Sequence, residues 1–581
     1  MNIILAALAF LVLLILYQIQ YPNHRFYSFL CSTIVAGGLV LTYHLTLDKI
    51  YPIPGILQIW ALAAASVILT MDAQASQKKA SKFVPNPSTD FFLENNHGER
   101  IFFGYPQDNF LVYGGAGSGK TKSIGKPIME QFIRSRYAGF IYDFKDFDYT
   151  KSAWNLVKQY EYEKPDARGI KRNFYYVSFT DLEHTYRFNP LKRFRNMEYT
   201  DPDTGEVKRQ RIELINRTML LQLMTDFLRA FLPEKGKEDE WFQGALGILQ
   251  GVAFKLWDEY PEYLTLPHIC RVITTFNNEQ LTSFLMSNVT SCSLAGAFIS
   301  SAGSEKTQAS YISTLNNYIS TFANNMEAAY VLSGDEFTFD LVDPNNPKLF
   351  AVCNNYAINR ILSPVISMLF SISSRRFSFS NRQNFVYVLD EMTTFKVQDF
   401  ELLPSTLREF GVAFVLLTQS GAKLEKLYSK LDRSSIEAYF ANMFLGRTKD
   451  VEALKYYPSF FGKHEIQKKS RTKGTSSGGS SNSITINTQK EEVYEAKVFT
   501  GLMPGEFIGS AGHTNKPEFR EQFKQYRFTG NDKGKIRGEE EDIPARTDPN
   551  TNQVIVIDDK RITEAWTIIS QNLKTLKAGL E

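Results

Sequence analysis

A glycine-rich loop between a predicted strand and a predicted helix constrains this chain more than any other feature. The stretch DNFLVYGGAGSGKTKSIG, residues 108–125, contains the pattern G-x-x-x-x-G-K-[ST]. The apolar run 110–113 predicts a strand before the loop, and residues 122–133 predict a helix after it. In this context the backbone N–H groups of a glycine-rich loop turn inward and bind phosphates at a helix N-terminus.

The loop contains the groups that a nucleoside triphosphate requires. Lys120 places a positive charge for the β- and γ-phosphates, and the Thr121 hydroxyl is expected to bind Mg²⁺. The expected nucleotide contacts are Gly114, Gly115, Ala116, Gly117, Ser118, Gly119, Lys120 and Thr121. The sequence therefore predicts a site for ATP with Mg²⁺.

Two later apolar runs end in residues that fit ATP hydrolysis. Residues 385–389 predict a buried parallel strand, with Asp390 expected to hold Mg²⁺ and Glu391 expected to orient the attacking water. Residues 412–417 predict a second strand, whose polar tip at Gln419 is placed to sense the γ-phosphate. The order of loop, acidic strand and Gln-tipped strand is typical of a RecA-like ATPase.

The loop and the acidic strand are unusually far apart in sequence, so we expect an inserted domain. The segments 211–232 and 240–260 carry apolar residues at helical spacing, and no strand-like alternation is recognised over 195–300. One face of the second segment is interpreted as domain core rather than a DNA-stacking surface: Trp241, Ala245, Leu249, Val252 and Leu256. The predicted architecture is an α/β RecA-like P-loop NTPase domain, 76–194 and 301–530, with an inserted all-α domain at 195–300.

The C-terminal part is less constrained. The Ser/Gly stretch 470–483 predicts a flexible loop, because it has almost nothing to bury. The following strand-like segments, up to residue 512, are expected to close the sheet. The tail, residues 531–581, contains an amphipathic segment at 561–576 that could bind a partner or pack on the motor, and both readings stay open.

The N-terminus departs from this globular profile. Apolar runs at 3–19, 29–45 and 56–71 predict a transmembrane anchor of two or three helices within residues 1–75. Lys78, Lys79 and Lys82 follow, which places the rest of the chain in the cytoplasm by the positive-inside rule. The first run has no basic residues before it, which disfavours a cleaved signal peptide.

Composition adds two exclusions. The formal net charge is only +3, so a polyanionic partner would have to be met by local patches rather than a global basic field. The four cysteines are scattered, without a C-x-x-C pair, which argues against a disulfide framework and a zinc site.

Together these motifs resemble the type IV coupling proteins of bacterial conjugation and type IV secretion, the TraD/TraG group. The resemblance lies in FNPL at 188–191, WFQGA at 241–245, LDE at 389–391 and REFG…TQS at 408–420. Arg408, eleven residues before Gln419, matches the family's candidate arginine finger, which would act on the neighbouring subunit's ATP. DFKDFD at 143–148 and MTTFKVQDF at 392–400 depart from the usual family pattern and indicate a divergent branch from a mobile element.

The resemblance implies a multi-pass homo-hexamer embedded in the bacterial inner membrane. It would recruit single-stranded DNA with its bound relaxase, or a protein cargo, and deliver it to inner-membrane components of the type IV secretion channel. The all-α domain would recognise the cargo. Two alternatives stay open: an FtsK/HerA-like DNA translocase, and a membrane receptor that binds ATP without hydrolysing it. The residues that would contact DNA are not assigned.

Overall fold

The computed structural model describes residues 83–200, 207–232, 236–476, 479–529, 539–548, 551 and 553–580. The apolar runs predicted to span a membrane, 3–19, 29–45 and 56–71, lie outside these residues. Within the described ranges, none of the helices combines the length and the apolar character needed to cross a bilayer.

A nine-stranded sheet forms the centre of the molecule. The strands, numbered along the chain, are β1 (Phe91–Glu94), β2 (Arg100–Phe103), β3 (Phe110–Tyr113), β4 (Ala138–Asp143), β5 (Asn173–Val177), β6 (Phe194–Thr200), β7 (Val207–Glu213), β8 (Lys348–Cys353), β9 (Phe385–Leu389), β10 (Val412–Thr418), β11 (Asn442–Gly446), β12 (Lys463–Ser476), β13 (Gly479–Glu492), β14 (Glu506–Ser510) and β15 (Glu518–Gln522). The sheet order is β15-β14-β11-β3-β10-β9-β4-β8-β5. Neighbours from β11 to β5 pair in parallel, and β14 and β15 extend the sheet antiparallel.

The central strands are apolar on both faces because both faces of the sheet are covered. In β3, Phe110 and Val112 belong to one buried cluster, whereas Leu111 and Tyr113 belong to the other. The strands predicted at 110–113, 385–389 and 412–417 are confirmed. Of the two strand-like segments predicted to close the sheet, 503–512 is confirmed, since β14 pairs with β11. The earlier segment, 490–499, is not part of this sheet: it contains the end of β13 and a helical turn from residue 496.

Helices cover the sheet and form a separate helical layer. They are α1 (Lys126–Arg134), α2 (Asp148–Gln159), α3 (Arg217–Arg229), α4 (Glu240–Glu259), α5 (Leu266–Thr275), α6 (Asn278–Met286), α7 (Val289–Leu294), α8 (Gly296–Ser300), α9 (Glu305–Ala323), α10 (Met326–Leu332), α11 (Asn359–Ser374), α12 (Leu403–Arg408), α13 (Gly421–Leu427), α14 (Lys430–Ala438), α15 (Val451–Tyr456), α16 (Ala496–Thr500) and α17 (Asp559–Ala578).

Helices occupy residues 217–332, so the helical segment both begins and ends later than the predicted all-helical range of 195–300. A β-hairpin, β6 paired with β7, precedes it, and the first helix starts only at α3, where the Asn216 side chain accepts a hydrogen bond from the Met219 N–H. The predicted core face of α4 is buried at Ala245, Leu249, Val252 and Leu256, but Trp241 is 40% exposed. Trp241 stands in the first turn, where its ring packs beside Tyr311 and the opposite side meets solvent.

The predicted flexible loop at 470–483 is wrong for most of its length. Strands β12 and β13 form an antiparallel ribbon, paired from Lys463↔Glu492 to Ser476↔Gly479. A ribbon of this kind needs no buried side chains, because backbone hydrogen bonds between its strands hold it together. Residues 477–478 lie outside the described residues.

The tail packs on the rest of the chain. Ile569 and Leu573 of α17 are buried, and the Lys577 ammonium donates a hydrogen bond to the Thr275 carbonyl oxygen at the end of α5. Further upstream, Glu541 and Asp542 form ion pairs with Lys158 and Lys151 of α2. The tail therefore contacts both the motor and the helical segment, which supports the packing interpretation over an unattached partner-binding tail.

Candidate nucleotide site

The glycine-rich loop joins β3 to a helix and is pinned by two other loops. The Gly115 N–H donates to the Arg447 carbonyl oxygen, and the Gly505 N–H donates to the Ser118 carbonyl oxygen, both at 2.8 Å. Gly119 has a φ of 94°, and a Cβ there would lie 2.6 Å from the Gly505 nitrogen. Glycine is therefore required at this position for both conformation and space.

Lys120 starts the first turn after the loop, a wide π-helical turn over Lys120–Gly125 that continues into α1. Its ammonium donates to the carbonyl oxygens of Gly114 and Gly115, at 2.5 and 3.4 Å. Burial lowers the pKa of Lys120, and the carboxylates of Glu391 and Asp390 oppose that shift. The ammonium thus lies against the loop that would cradle phosphates, with acidic groups nearby to keep it charged.

Asp390 follows β9 and is 2% exposed. Its Oδ2 accepts no hydrogen bond from the described part of the chain. Burial raises the pKa of Asp390 to about 7; Lys145 and Lys120 lower it, while Asp143 and Glu391 raise it further. A buried carboxylate oxygen without a hydrogen bond is costly to retain, so its chemistry fits a group reserved for a cation.

A cation already lies between the two side chains predicted to bind Mg²⁺. The Lys145 ammonium is 3.8 Å from Asp390 Oδ2 and 3.3 Å from the Thr121 hydroxyl oxygen. Thr121 and Asp390 therefore both lie within 4 Å of one positive charge. Hydroxyl and carboxylate oxygens of this kind are suitable ligands for Mg²⁺, so the residues present fit the ion.

Glu391 has a left-handed backbone, with φ 48° and ψ 51°, which is uncommon for a residue with a side chain. The Gln419 amide donates to its carboxylate at 3.4 Å, and the Lys423 ammonium lies 3.4 Å from it. The Thr394 N–H and hydroxyl both donate to the Glu391 carbonyl oxygen. The structure therefore brings Glu391 and Gln419 together beside Asp390, at the carboxyl ends of β9 and β10.

Arg408 does not reach this edge. It ends α12, before β10 begins, so the length of β10, roughly 20 Å, separates it from Gln419. Its guanidinium pairs at 2.6 Å with the buried carboxylate of Asp108, which also contacts His513. Arg408 is half exposed and faces away from the nucleotide loop of its own chain.

The structure adds Lys145, Lys423 and Arg447 to the site. A Cβ on Gly117 would lie 3.7 Å from an Arg447 guanidinium nitrogen, and no carboxylate among the described residues pairs with that guanidinium. Lys145 stands in the DFKDFD stretch, which in the sequence stood out only as a departure from the usual family pattern. Lys423 and Arg447 follow β10 and β11, and no sequence motif singles them out because tertiary pairing of parallel strands brings them here.

The family comparison bears directly on this arrangement. Residues 219–499 match the family described as the type IV secretion-system coupling protein DNA-binding domain, and the match includes Asp390, Glu391, Arg408 and Gln419. This segment belongs to the type IV coupling protein family. The resemblance predicted from the sequence motifs is therefore confirmed.

Solved structures of coupling proteins have a fold similar to that of this chain. The bacterial conjugative coupling protein TrwBΔN70, in an unbound form, matches with a TM-score of 0.56 and 15% identity over 77% of this chain and 91% of that chain. The plasmid coupling protein TrwB in complex with ADP and Mg²⁺ matches with a TM-score of 0.54 and 15% identity, covering 74% of this chain and 87% of that chain. TrwB with the non-hydrolysable ATP analogue ADPNP matches at 0.53 and 16% identity, covering 74% and 88%. Comparison with curated protein sequences finds no significant relative.

These matches confirm the predicted fold of a RecA-like P-loop NTPase with an all-α domain. The matched family is described as DNA-binding, which agrees with the predicted class of partner.

Proposed function

We propose that this chain is an ATPase that uses ATP and Mg²⁺ to deliver nucleic acid, with its bound relaxase or a protein cargo, to a type IV secretion channel. The observation that carries the proposal is the buried Asp390 carboxylate, which lies beside Thr121, Lys120 and Glu391 within a coupling-protein fold. TrwB structures with ADP and Mg²⁺ and with an ATP analogue support the choice of nucleotide and ion.

Each side chain of the site has a distinct task. Lys120 would leave its loop carbonyls to neutralise charge on the β- and γ-phosphates. Thr121 and Asp390 would hold Mg²⁺, which supplies charge neutralisation to the phosphates. Glu391 would orient the attacking water, and its contact with Gln419 would report whether a γ-phosphate is bound. Arg447, beside Gly117, would add a second positive charge over the loop.

Arg408 supports an assembly in which sites are shared between subunits. It is half exposed at the edge of the sheet opposite its own nucleotide loop, so only another copy of the chain could bring it to a γ-phosphate. We therefore propose that Arg408 acts in trans in a homo-hexamer. The apolar runs within residues 1–75 support membrane anchoring, and the helical segment is the proposed cargo-recognition region.

The proposal is tested by hydrolysis measurements on the full chain. Lys120→Ala is expected to abolish nucleotide binding and hydrolysis, whereas the matched control Lys122→Ala, an exposed lysine two residues away, should retain both. Glu391→Gln is expected to bind ATP normally and lose hydrolysis. Unchanged hydrolysis in Glu391→Gln would overturn the assignment of the base and favour the receptor that binds ATP without hydrolysing it.

A mixing experiment tests Arg408. Arg408→Ala subunits and Lys120→Ala subunits are each expected to be inactive, and mixed rings should recover hydrolysis where an intact arginine faces an intact loop. If Arg408 acted on its own subunit, mixing would restore nothing. Copurification of the full chain with a relaxase would separate a coupling protein from an FtsK/HerA-like translocase, which has no reason to bind one.

A further inference from the structure

The loop between β8 and α11 presents the most exposed aromatic ring of the sheet's nucleotide edge. Tyr356 is 92% exposed, and no hydrogen bond or aromatic ring contact joins it to any residue that the structure describes. Arg360, in the first turn of α11, is exposed and likewise has no recorded partner among those residues. Since carboxyl ends of parallel strands share one edge, this loop lies on the same side of the sheet as Asp390.

Side-chain hydrogen bonds hold the loop that carries Tyr356 on both sides of the ring. The Asn354 amide donates to the Tyr142 hydroxyl and to Asn359 Oδ1, at 3.0 and 2.7 Å. Asn355 Oδ1 accepts from the N–H groups of Ala357 and Ile358, which closes the turn around Tyr356. An exposed ring on a preorganised loop loses little conformational entropy when a ligand covers it.

The same loop is hydrogen-bonded to two segments of the nucleotide site. The Asn359 amide donates at 3.0 Å to the Thr394 carbonyl oxygen, and Thr394 itself donates to Glu391. On the other side, the Asn355 amide donates at 2.6 Å to the carboxylate of Asp146, the neighbour of Lys145. The Tyr142 hydroxyl contacts the Thr394 hydroxyl at 2.6 Å and completes the network.

We propose that Tyr356 and Arg360 form a contact site for single-stranded DNA, and that Asn359 couples this site to Glu391; this deepens the proposed function and rests on it. An exposed aromatic ring accepts any base by stacking, and an adjacent arginine at a helix N-terminus suits a phosphate. The loop lies inside the segment that matches a DNA-binding domain. The unpaired charge of Arg360 favours a polyanion over an apolar protein surface.

Fluorescence anisotropy with a labelled single-stranded oligothymidylate and the full chain tests the contact. Tyr356→Ala is expected to weaken binding about tenfold, whereas Tyr356→Phe, which keeps the ring, should bind as the parent does. Arg360→Ala should weaken binding. It should also reduce the slope of log affinity against log salt concentration by about one, the contribution of a single phosphate contact. Phe379→Ala is the matched control, because Phe379 is 76% exposed but lies before β9, at the opposite edge of the sheet.

Two outcomes would overturn the contact. Unchanged DNA affinity in Tyr356→Ala would exclude stacking on this ring. The second outcome combines two results: light scattering shows a smaller oligomer for Tyr356→Ala, and Arg360→Ala binds DNA normally. Together they would show that the Tyr356 ring contacts a second copy of the chain instead of DNA.

The coupling has its own readout. Asn359→Ala removes the hydrogen bond to Thr394 and the one from Asn354, but the turn closed by Asn355 still holds Tyr356. DNA affinity should therefore stay within about twofold of the parent while the stimulation of hydrolysis by DNA is lost. Stimulation that survives in Asn359→Ala would overturn the coupling. If the parent chain hydrolyses no ATP, the proposed function fails, and the anisotropy series still decides the DNA contact separately.

Discussion

Asp143 and Asp390 end neighbouring parallel strands at the same edge of the sheet, and both are almost completely buried. Asp143 is fully satisfied: its carboxylate accepts from the N–H and hydroxyl of Thr150 and from the Lys145 N–H. Asp390 Oδ2 accepts no hydrogen bond from any described residue and has only the Lys145 ammonium, at 3.8 Å. The difference separates a carboxylate that holds a loop from one that is kept for a cation.

Burial acts on both groups in the same direction. It raises the pKa of Asp143, although the hydrogen bonds from Thr150 oppose the shift, and it raises the pKa of Asp390 to about 7. Lys145 contacts both aspartates through different atoms. Its backbone N–H donates a hydrogen bond to Asp143, and its ammonium lies near Asp390. Variants at these three residues can therefore separate loop stability from cation binding.

The largest effect is expected from Asp390→Asn. Removing the charge that would hold Mg²⁺ should lower the rate of ATP hydrolysis about 100-fold or more. The melting temperature of the metal-free chain should not fall, because the substitution removes a buried charge that no hydrogen bond stabilises. Steady-state hydrolysis and thermal unfolding of the same preparation measure both. A large fall in melting temperature would show that Asp390 is structural after all.

Asp143→Asn should give the reverse pattern. Donors bond both oxygens of Asp143 and an amide has only one, so the amide nitrogen would face a donor of Thr150 or of Lys145, and the free energy of unfolding should fall by about 1–3 kcal/mol. Urea unfolding measures the change. Hydrolysis per folded molecule should fall much less than in Asp390→Asn. Equal losses of hydrolysis in the two variants would contradict the distinction between the two carboxylates.

The pH dependence of Mg²⁺ affinity should show Asp390 directly. Because Mg²⁺ binds the carboxylate and the pKa is about 7, apparent affinity should fall by about tenfold per pH unit below that value and level off above it. The free energy of unfolding depends on pH in the opposite direction. Between about pH 4 and pH 7 the folded chain keeps a proton on Asp390 that the unfolded chain releases, so stability falls as the pH rises through this range. Mg²⁺ titrations of nucleotide binding across this range measure the slope, which Asp390→Asn should abolish.

The smallest effect is expected from Lys145→Ala. The substitution removes the ammonium near Asp390 but keeps the backbone N–H that bonds Asp143, so stability should be unchanged. The half-exposed ammonium is partly screened by solvent. Well above pH 7, where Asp390 stays ionised without the Lys145 charge that lowers its pKa, apparent Mg²⁺ affinity should therefore rise only about threefold as a competing cation is lost. Lys151→Ala, on the neighbouring helix, is the control. A loss of stability in Lys145→Ala would mean that its ammonium also supports the loop.

Sequence reasoning located the motor because its signals are local. The loop 114–121 and the strands ending at Asp390 and Thr418 are continuous segments whose apolar runs and polar ends are visible in order along the chain. It failed where structure depends on backbone pairing without an apolar pattern, as in the ribbon β12–β13 and the hairpin β6–β7. It also placed Trp241 in a core, although helical spacing cannot tell which end of a buried face meets solvent.

The sequence by itself determined that a phosphate-binding loop, an acidic strand and a Gln-tipped strand belong to one RecA-like core, since spacing and residue type carry that information. Only the tertiary structure decided which polar groups meet at the shared edge. Parallel pairing brings Lys145 and Arg447 to the nucleotide loop from distant segments and leaves Arg408 at the opposite edge. Whether a buried aspartate is satisfied, as Asp143 is, or has an oxygen without a hydrogen bond, as Asp390 does, depends on partners that no local pattern specifies.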